Sequence, residues 1–352
     1  MAKRIIKYAI DTVTTQRITG WCYWRIFPTR PIVLHIYYGE ELIGELINDE
    51  FRQDLIDVAG HPTGKCGFTF TLPENFELKE GLALKIYMKS LVPCLLASYE
   101  YNEIAQVCEG ELPNIFFMHI PKTAGTSFNY YARQFFPEGS SITHIEGIQH
   151  EKAEVFERYH YIAGHLSLEK LAQLNPPDRF IYYTILRDPF KHLHSHLNWV
   201  KGVGVDTLSD FYKRHPPVVQ KLAMELALKK KDIKTMLRDF VDNLDGFEID
   251  FFDNIQTRYF LDYRPARVGD EDLQVAKKNC SLFRRVGLTE SYKEFAASFC
   301  RDNGFRYVEQ PKRLNKAKIE PLYDVHSDEI KEILLPLVKA DLALYDYVAT
   351  LS

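Results

Sequence analysis

From Ile5 to about Tyr101, apolar and polar residues alternate in short runs, "RITGWCYWRI", "RPIVLHIYYGEELIGELI", "CGFTFTLPENF" and "LALKIYMKS", with Gly, Pro and Asn between them. A period of two sends successive side chains to opposite faces, so these runs predict antiparallel strands in a small sandwich. "HIYYGEELIGEL" predicts a hairpin that turns near Gly39 to Glu41. The alternation stops over "EYNEIAQVCEGELPN", Glu100 to Asn114, where acids gather and Pro113 closes the stretch, and a linker is expected there. Beyond it the rhythm changes: "NIFFMHI", "YHYIAG" and "RFIYYTIL" are almost wholly apolar and alternate with helical patterns that open at Thr126 and Pro189. Strands apolar on both faces and interleaved with helices predict a parallel sheet covered on both sides, with further helices running to the C-terminus. The expected organisation is a small all-β, sandwich-like domain over residues 1–105 and an α/β domain of nucleotide-binding, P-loop type over residues 112–352.

Composition agrees with that division. A chain of 352 residues exceeds one ordinary core, and 46% hydrophobic with 26% charged residues suits a globular protein with a sizeable interior. The balance of 44 basic against 48 acidic side chains, net −4, argues against a nucleic-acid partner and leaves room for a local basic pocket. "MAKRIIKYAIDTVTT" has neither a sustained apolar region nor a small-residue cleavage site, and "LVPCLLA" is too short to span a bilayer. A cytoplasmic protein without a membrane span is expected. Cys22, Cys66, Cys94, Cys108, Cys280 and Cys300 are scattered without metal-ligand spacing and are expected as buried thiols. Trp21, Tyr23 and Trp24 suit either core packing or a sugar-stacking platform. The N-terminal arrangement resembles small β-domains joined to bacterial glycan-modifying enzymes.

The chemistry concentrates in "FFMHIPKTAGTSFNYYARQF", Phe116 to Phe135. A strand feeding a Gly-containing loop that opens a helix makes an anion site, because unpaired N–H groups and the helix dipole point at the loop. Thr126 and Ser127 stand at the expected capping positions. A plain helix cap would account for Gly125 and Thr126 equally well. A Walker A loop carries its lysine after the last glycine, whereas Lys122 precedes Gly125 and so enters from the strand side.

That order in "HIPKTAGTS", His119 to Ser127, resembles the 5′-phosphosulfate loop of sulfotransferases that use 3′-phosphoadenosine 5′-phosphosulfate (PAPS), in the form found in the heparan sulfate 2-O-sulfotransferase-like group. "YYTILRDPFKHLHSHLNW", Tyr182 to Trp199, resembles the 3′-phosphate segment of the same family, with Arg187 ending a strand and Ser195 eight residues later on a helix. A guanidinium can clamp a phosphate bidentately and a hydroxyl adds a donor, while Pro189 pre-sets the first helical turn. An Arg187–Asp188 surface pair with an incidental serine is the alternative. The family often has a basic residue five positions after the arginine; His192 stands there, and no contact is carried over to it. His192 and His196, one turn apart, could ligate a metal, but with no third ligand evident they are expected as imidazoles on the helix surface.

The resemblance implies PAPS as sulfate donor, a carbohydrate hydroxyl as acceptor, and no metal. It assigns the 5′-phosphate to Lys122 and to the loop Thr123, Ala124, Gly125, Thr126 and Ser127, with Lys122 also neutralising the leaving phosphate. It assigns the 3′-phosphate to Arg187 and Ser195. A base must relieve the acceptor of its proton, and His165 in "YIAGHLSLEKL" ends a predicted strand, where α/β sheets gather ligands, and matches a Gly-His pair of the family. His144, His150 and His160 compete for that role, His144 first. "PKRLNKAKIEPL", Pro311 to Leu322, resembles a lysine-rich loop that covers the nucleotide, which nominates Lys316 beside Lys312, Arg313 and Lys318; a solvated basic loop is the alternative. "DNIQTRYFL" and "RRVGLTESYKEF" resemble the helical second half of the family, and "KKKDIK" at Lys229 to Lys234 reads as a solvated helix face. The resemblance covers most of Asn114 to Ser352 and none of the N-terminal domain. Two other readings compete. A P-loop kinase acting on a small molecule or glycan would need an acid to hold Mg²⁺ and a lysine after the glycine. A glycan-binding module with a degenerate catalytic domain would be expected to have lost part of the set Lys122, His165, Arg187 and Ser195, all of which are present.

Overall fold

The computed structural model describes residues 5–57, 61–74, 76–90, 92–108, 110–147, 152–213, 215–227, 232–309 and 320–351. His150, Lys229 to Lys231, Lys312, Arg313, Lys316 and Lys318 lie outside the described residues. Among those described, Met1–Leu112, Tyr130–Pro137 and Cys300–Lys312 form one compact unit, and Pro113–Asn129, Glu138–Phe299 and Arg313–Ser352 form the other.

The first unit contains β1 (Ile6–Val13), β2 (Arg17–Trp24), β3 (Val33–Tyr38), β4 (Glu41–Ile47), β5 (Glu50–Phe51), β6 (Lys65–Thr71), β7 (Leu84–Met88) and β8 (Cys94–Tyr99). They pair antiparallel in two four-stranded sheets, ordered β1-β2-β6-β5 and β4-β3-β7-β8. The alternation in sequence becomes one shared core: Ile18, Cys22 and Phe68 from one sheet meet Leu34, Ile36, Leu84 and Ile86 from the other. The hairpin between β3 and β4 turns at Gly39 and Glu40, where the pattern predicts it. Tyr23 packs with Leu55 and Cys66, Trp24 against the larger core, and Trp21 stands half-buried beside Tyr23. The expected linker is not an exposed spacer, since Ile104, Ala105 and Val107 are all buried. Two segments from later in the chain complete this unit, with Tyr131 Oη 3.2 Å from Cys300 Sγ and the Phe135 and Phe305 rings stacked at 4.9 Å.

The second unit is built on β9 (Ile115–Met118), β10 (Ser141–Thr143), β11 (Tyr161–Gly164), β12 (Ile181–Leu186) and β13 (Phe283–Leu288). All neighbours are parallel, in the order β10-β11-β9-β12-β13. β9 and β11 are buried at every position, as strands covered by helices must be. Phe116, Met118, Ile162 and Leu186 share a core with Phe260 and Leu344, while Phe117 packs at 4.6 Å from Phe128, which meets Phe295 and Phe299 at 5.0 Å each. The helices Gly125–Arg133 and Pro189–Val203 follow β9 and β12, and the second is capped by Asp188, whose Oδ1 accepts from the Lys191 N–H at 2.9 Å. β13 corrects the helical reading of "RRVGLTESYKEF": its first half is an edge strand with Arg284 exposed, too short and one-sided to show a period, and the helix Tyr292–Asp302 takes the second half.

From β9 the chain passes toward β11 and β10, and from β12 toward β13, so connections leave neighbouring strands in opposite directions. A crevice opens at the carboxyl ends of such a pair, the position where open α/β sheets bind ligands. Among the described residues no helix is long and apolar enough to cross a membrane. All six cysteines are free; Cys94 and Cys108 are half-buried and the other four are buried.

Gly287 of β13 faces the Phe295 ring, where an added Cβ would stand 2.2 Å from Cδ2. That ring is hemmed in by Phe128 and cannot simply withdraw. Gly287→Ala is therefore expected to destabilise the fold by about 1–3 kcal/mol, as overpacking does. It should appear as a lower urea midpoint with unchanged slope; an unchanged midpoint would mean that the ring moves aside freely.

Candidate functional site

The loop leaving β9 is held in an uncommon backbone form. Lys122 and Ala124 have φ of 69° and 67°, whereas Thr123 and Gly125 between and after them keep negative φ. Non-glycine residues in the left-handed region cost of order 1–3 kcal/mol each and persist where the surroundings impose them. Alternating handedness turns successive N–H groups to one side, which makes an anion-binding concavity. Thr123 is fully buried, and its hydroxyl donates to the Ile120 carbonyl at 2.9 Å, so its side chain serves the loop. Gly125 is required by a close approach: a Cβ there would lie 2.0 Å from Cδ2 of His119. The helix begins at Gly125, one residue earlier than expected, so Thr126 and Ser127 lie in its first turn and not at the cap. N–H groups in that turn have no intrahelical acceptor. Thr126 is exposed and Ser127 half-buried.

Across the crevice, Arg187 leaves β12 and its Nη1 donates to the Lys122 carbonyl at 3.1 Å. Its backbone is fixed by the buried Gln256 amide, which accepts from the Arg187 N–H at 2.8 Å and donates to the Arg187 carbonyl at 2.9 Å. Gln256 is fixed in turn, because Asp341 accepts from its N–H at 3.2 Å and from the Thr257 N–H and hydroxyl at 2.7 Å each. Burial pushes the Asp341 carboxyl up to about 6 despite those bonds. Burial, and then the Arg187 charge, lower the Lys122 ammonium below its usual range. That ammonium stands 6.0 Å from the centre of the Trp199 ring, and none of the described ion pairs involves it. Ser195 sits half-buried on the Pro189–Val203 helix.

His192 and His196 are not surface imidazoles. They are 1% and 4% exposed, on the inner side of the helix with Leu193 and Leu197. His192 Nε2–H donates to the Pro121 carbonyl at 2.8 Å and thereby holds the loop, while burial brings its pKa down to about 4. His196 lies among the rings of Phe251, Phe252 and Trp199.

His165 follows β11 directly. Its N–H donates to Glu146 Oε2 at 2.9 Å, and its Nδ1 lies 2.6 Å from the His119 carbonyl. A carbonyl only accepts, so Nδ1 carries the proton and Nε2 keeps a lone pair. Glu146 Oε1 is 3.9 Å from that Nε2 and 3.1 Å from His144 Nδ1. The His119 and His165 rings are 4.2 Å apart, and His144 and His165 are 5.5 Å apart. Burial lowers the His165 pKa against the pull of Glu146, so the ring is neutral at pH 7, and the hydrogen bond to Glu146 raises that of His144. Burial works to raise Glu146, but its bonds from His144 and from the His165 N–H outweigh it, and the carboxyl titrates at about 2. His119 is brought down to about 3 by burial and then by the neighbouring imidazoles. The donor atoms of His144, Glu146 and His165 lie within 4.8 Å of one another and could hold a divalent cation; His192 and His196 join no such group among the described residues. His160 precedes β11 at the amino end of the sheet, away from this edge.

The carboxyl edge thus gathers Lys122, the loop from Thr123 to Ser127, Arg187 and His165, with Ser195 on the adjoining helix. Lys316 lies outside the described residues. Sequence reasoning did not single out Glu146, Gln256, Asp341 or Trp199, because none has a local pattern that distinguishes it. His119 stood inside the quoted loop motif and was given no role of its own.

With a folded pKa near 2 against an ordinary 4.5, Glu146 contributes stability that is fully present above about pH 4.5 and is lost as pH falls toward 2. Glu146→Gln should therefore lower the denaturation midpoint at pH 7, and the gap from the unsubstituted protein should narrow as pH falls from 5 to 3; a gap independent of pH would show that the carboxylate charge contributes nothing. No known protein-family model matches this chain, and no curated protein matches it.

Proposed function

We propose that this protein transfers the sulfuryl group of PAPS to a hydroxyl of a carbohydrate acceptor, on an α/β unit of P-loop type. The observation that carries the reading is the approach of the Arg187 guanidinium to the Lys122 carbonyl between β9 and β12, beside a loop whose backbone suits an anion and with no carboxylate among the described residues paired to the lysine. Half-buried cations held close to one another favour an anion between them, because like charges taken out of water raise each other's energy. Strand, loop and helix in this order are the setting of a P-loop, and the strand-side lysine speaks for the sulfotransferase form.

When bound, PAPS supplies an activated sulfuryl group on a phosphate leaving group. The N–H groups of Thr123 to Ser127 and the Lys122 ammonium suit the 5′-phosphate, and Arg187 with Ser195 suits the 3′-phosphate. Lys316 is assigned to the nucleotide by resemblance alone. His165 Nε2 holds the lone pair that takes the acceptor's proton. The His119 carbonyl keeps Nδ1 protonated and the ring oriented, and Glu146 stabilises the imidazolium that forms. A second reading, metal-assisted phosphoryl transfer, draws on the donor set His144, Glu146 and His165.

Calorimetry with 3′-phosphoadenosine 5′-phosphate and with AMP tests the nucleotide assignment. Charge-assisted bonds to the extra phosphate contribute about 1.5–3 kcal/mol each, so a preference of at least about tenfold is expected, and Arg187→Ala should remove it. Equal affinity for the two nucleotides would sink the assignment.

Kinetics separate the two catalytic groups. His165→Ala should leave nucleotide affinity intact, lower kcat by about 10²–10⁴-fold and abolish the rise of rate with pH through the histidine range. Lys122→Ala should weaken nucleotide binding and turnover together, since its charge acts in both ground and transition states. Survival of the rising limb in His165→Ala with its loss in His144→Ala would move the base to His144, and loss of turnover in EDTA would favour the metal-assisted reading.

A further inference from the structure

His144 and His165 leave neighbouring strands at the same edge: β10 ends at Thr143 and β11 at Gly164, and the two pair in parallel. The turn after β10 carries Glu146 to the same place and is closed by the Gly147 N–H, which donates to the His144 carbonyl at 3.1 Å. His144 enters that turn with a φ of 60°, a costly form that persists where the surroundings impose it. Gly164 makes room for the carboxylate, since a Cβ there would stand 3.0 Å from Glu146 Oε2 and 2.7 Å from Ile145 Cγ1. Two imidazoles and one carboxylate thus bring their donor atoms within 4.8 Å of one another. Tetrahedral zinc, with bonds of about 2.0–2.2 Å, sets its ligands roughly 3.4 Å apart. Glu146 Oε1 stands 3.1 Å from His144 Nδ1 and 3.9 Å from His165 Nε2, on either side of that spacing.

The outer contacts are those that orient metal ligands. The His119 carbonyl accepts the His165 Nδ1 proton at 2.6 Å and so leaves the lone pair on Nε2, while the His165 N–H donates to Glu146 Oε2 at 2.9 Å and leaves Oε1 as the ligand oxygen. The His144 side chain is 58% exposed, which gives a cation a path in and a water its place as fourth ligand. Two imidazole nitrogens with one carboxylate oxygen suit zinc, whereas Mg²⁺ and Ca²⁺ take oxygen ligands. We propose that His144, Glu146 and His165 form a zinc site whose occupancy shuts off the transfer reaction. A cation there takes the place of the proton between His144 and Glu146 and ties up the lone pair of His165 Nε2, so that no base is left for the acceptor hydroxyl. The site rests on the donor geometry alone. Its inhibitory effect rests on the reading of His165 as base and runs opposite to the metal-assisted reading, in which the same cation would be required.

The full chain, freed of metal by chelation and dialysis, is titrated with Zn²⁺ and with Mg²⁺ by calorimetry, and with Co²⁺ by visible absorption. Zn²⁺ should bind and Mg²⁺ should not, and Co²⁺ should give the intense bands of a four-coordinate site. His144→Ala, Glu146→Gln and His165→Ala should each weaken Zn²⁺ binding by at least about tenfold, since loss of a ligand costs no less than loss of a partner that orients one. An unchanged near-ultraviolet circular dichroism spectrum shows that each variant is folded. In a sulfuryl-transfer assay Zn²⁺ should inhibit and EDTA should restore the rate, and His144→Ala, measured against its own zinc-free rate, should need at least about tenfold more Zn²⁺ for half-inhibition. Absence of Zn²⁺ binding, or binding that survives all three substitutions and so belongs to the free cysteine thiols or other groups, would overturn the proposal. So would Zn²⁺ that binds at these residues and leaves transfer unchanged or speeds it. Zn²⁺ binding intact in a protein that neither transfers sulfate nor binds 3′-phosphoadenosine 5′-phosphate would count against the transferase reading alone.

Discussion

The hydrogen-bond ladders that hold β9 between β11 and β12 bring three distant stretches of chain to one edge. Lys122, His165 and Arg187 leave three adjacent strands at their carboxyl ends, and no local feature of any one of them could have put them there. Parallel pairing requires each strand to be followed by a crossover, so the separations in sequence are long while the separations in space are short. The remainder of the site consists of devices that hold these three exits in place.

Those devices are buried polar contacts made at backbone level. Gln256 satisfies both the N–H and the carbonyl of Arg187, and Asp341 satisfies Gln256 and Thr257, so a helix near the C-terminus sets the position of a residue at the carboxyl end of β12. His192 holds the Pro121 carbonyl in the same way from the helix after β12. A buried polar group costs free energy unless paired, and each of these pairs therefore also specifies a geometry. Gly125 serves the same end by omission, since any side chain there would expel His119, whose own carbonyl sets the tautomer of His165.

Charge is divided across the edge. Between β9 and β12 stand two cations suited to a bound anion; beside β11 stand imidazoles held by one carboxylate. Burial depresses the pKa values of His119 and His165, and Glu146 restrains the effect at His165, while burial and then Arg187 lower that of Lys122. The arrangement can hold an anion and take up a proton without one function neutralising the other.

Periodicity by itself determined the class of each unit, because strands exposed on one face alternate and strands buried on both faces do not. It also located the loop from His119 to Ser127, Arg187 before a proline-initiated helix, and His165 at a strand end, since these depend on residues adjacent in sequence. It missed β10, which is too short to show a period, and β13, whose edge position leaves only half a pattern. It could not show that Tyr130–Pro137 and Cys300–Lys312 join the first unit, because one helix can end in a different core from the one in which it starts. It set His192 and His196 on a surface that the tertiary structure made an interior. Only the packed chain decided which carboxylate meets His165 and which amide clamps Arg187, because those partners lie tens of residues apart and are chosen by which surfaces fold against one another.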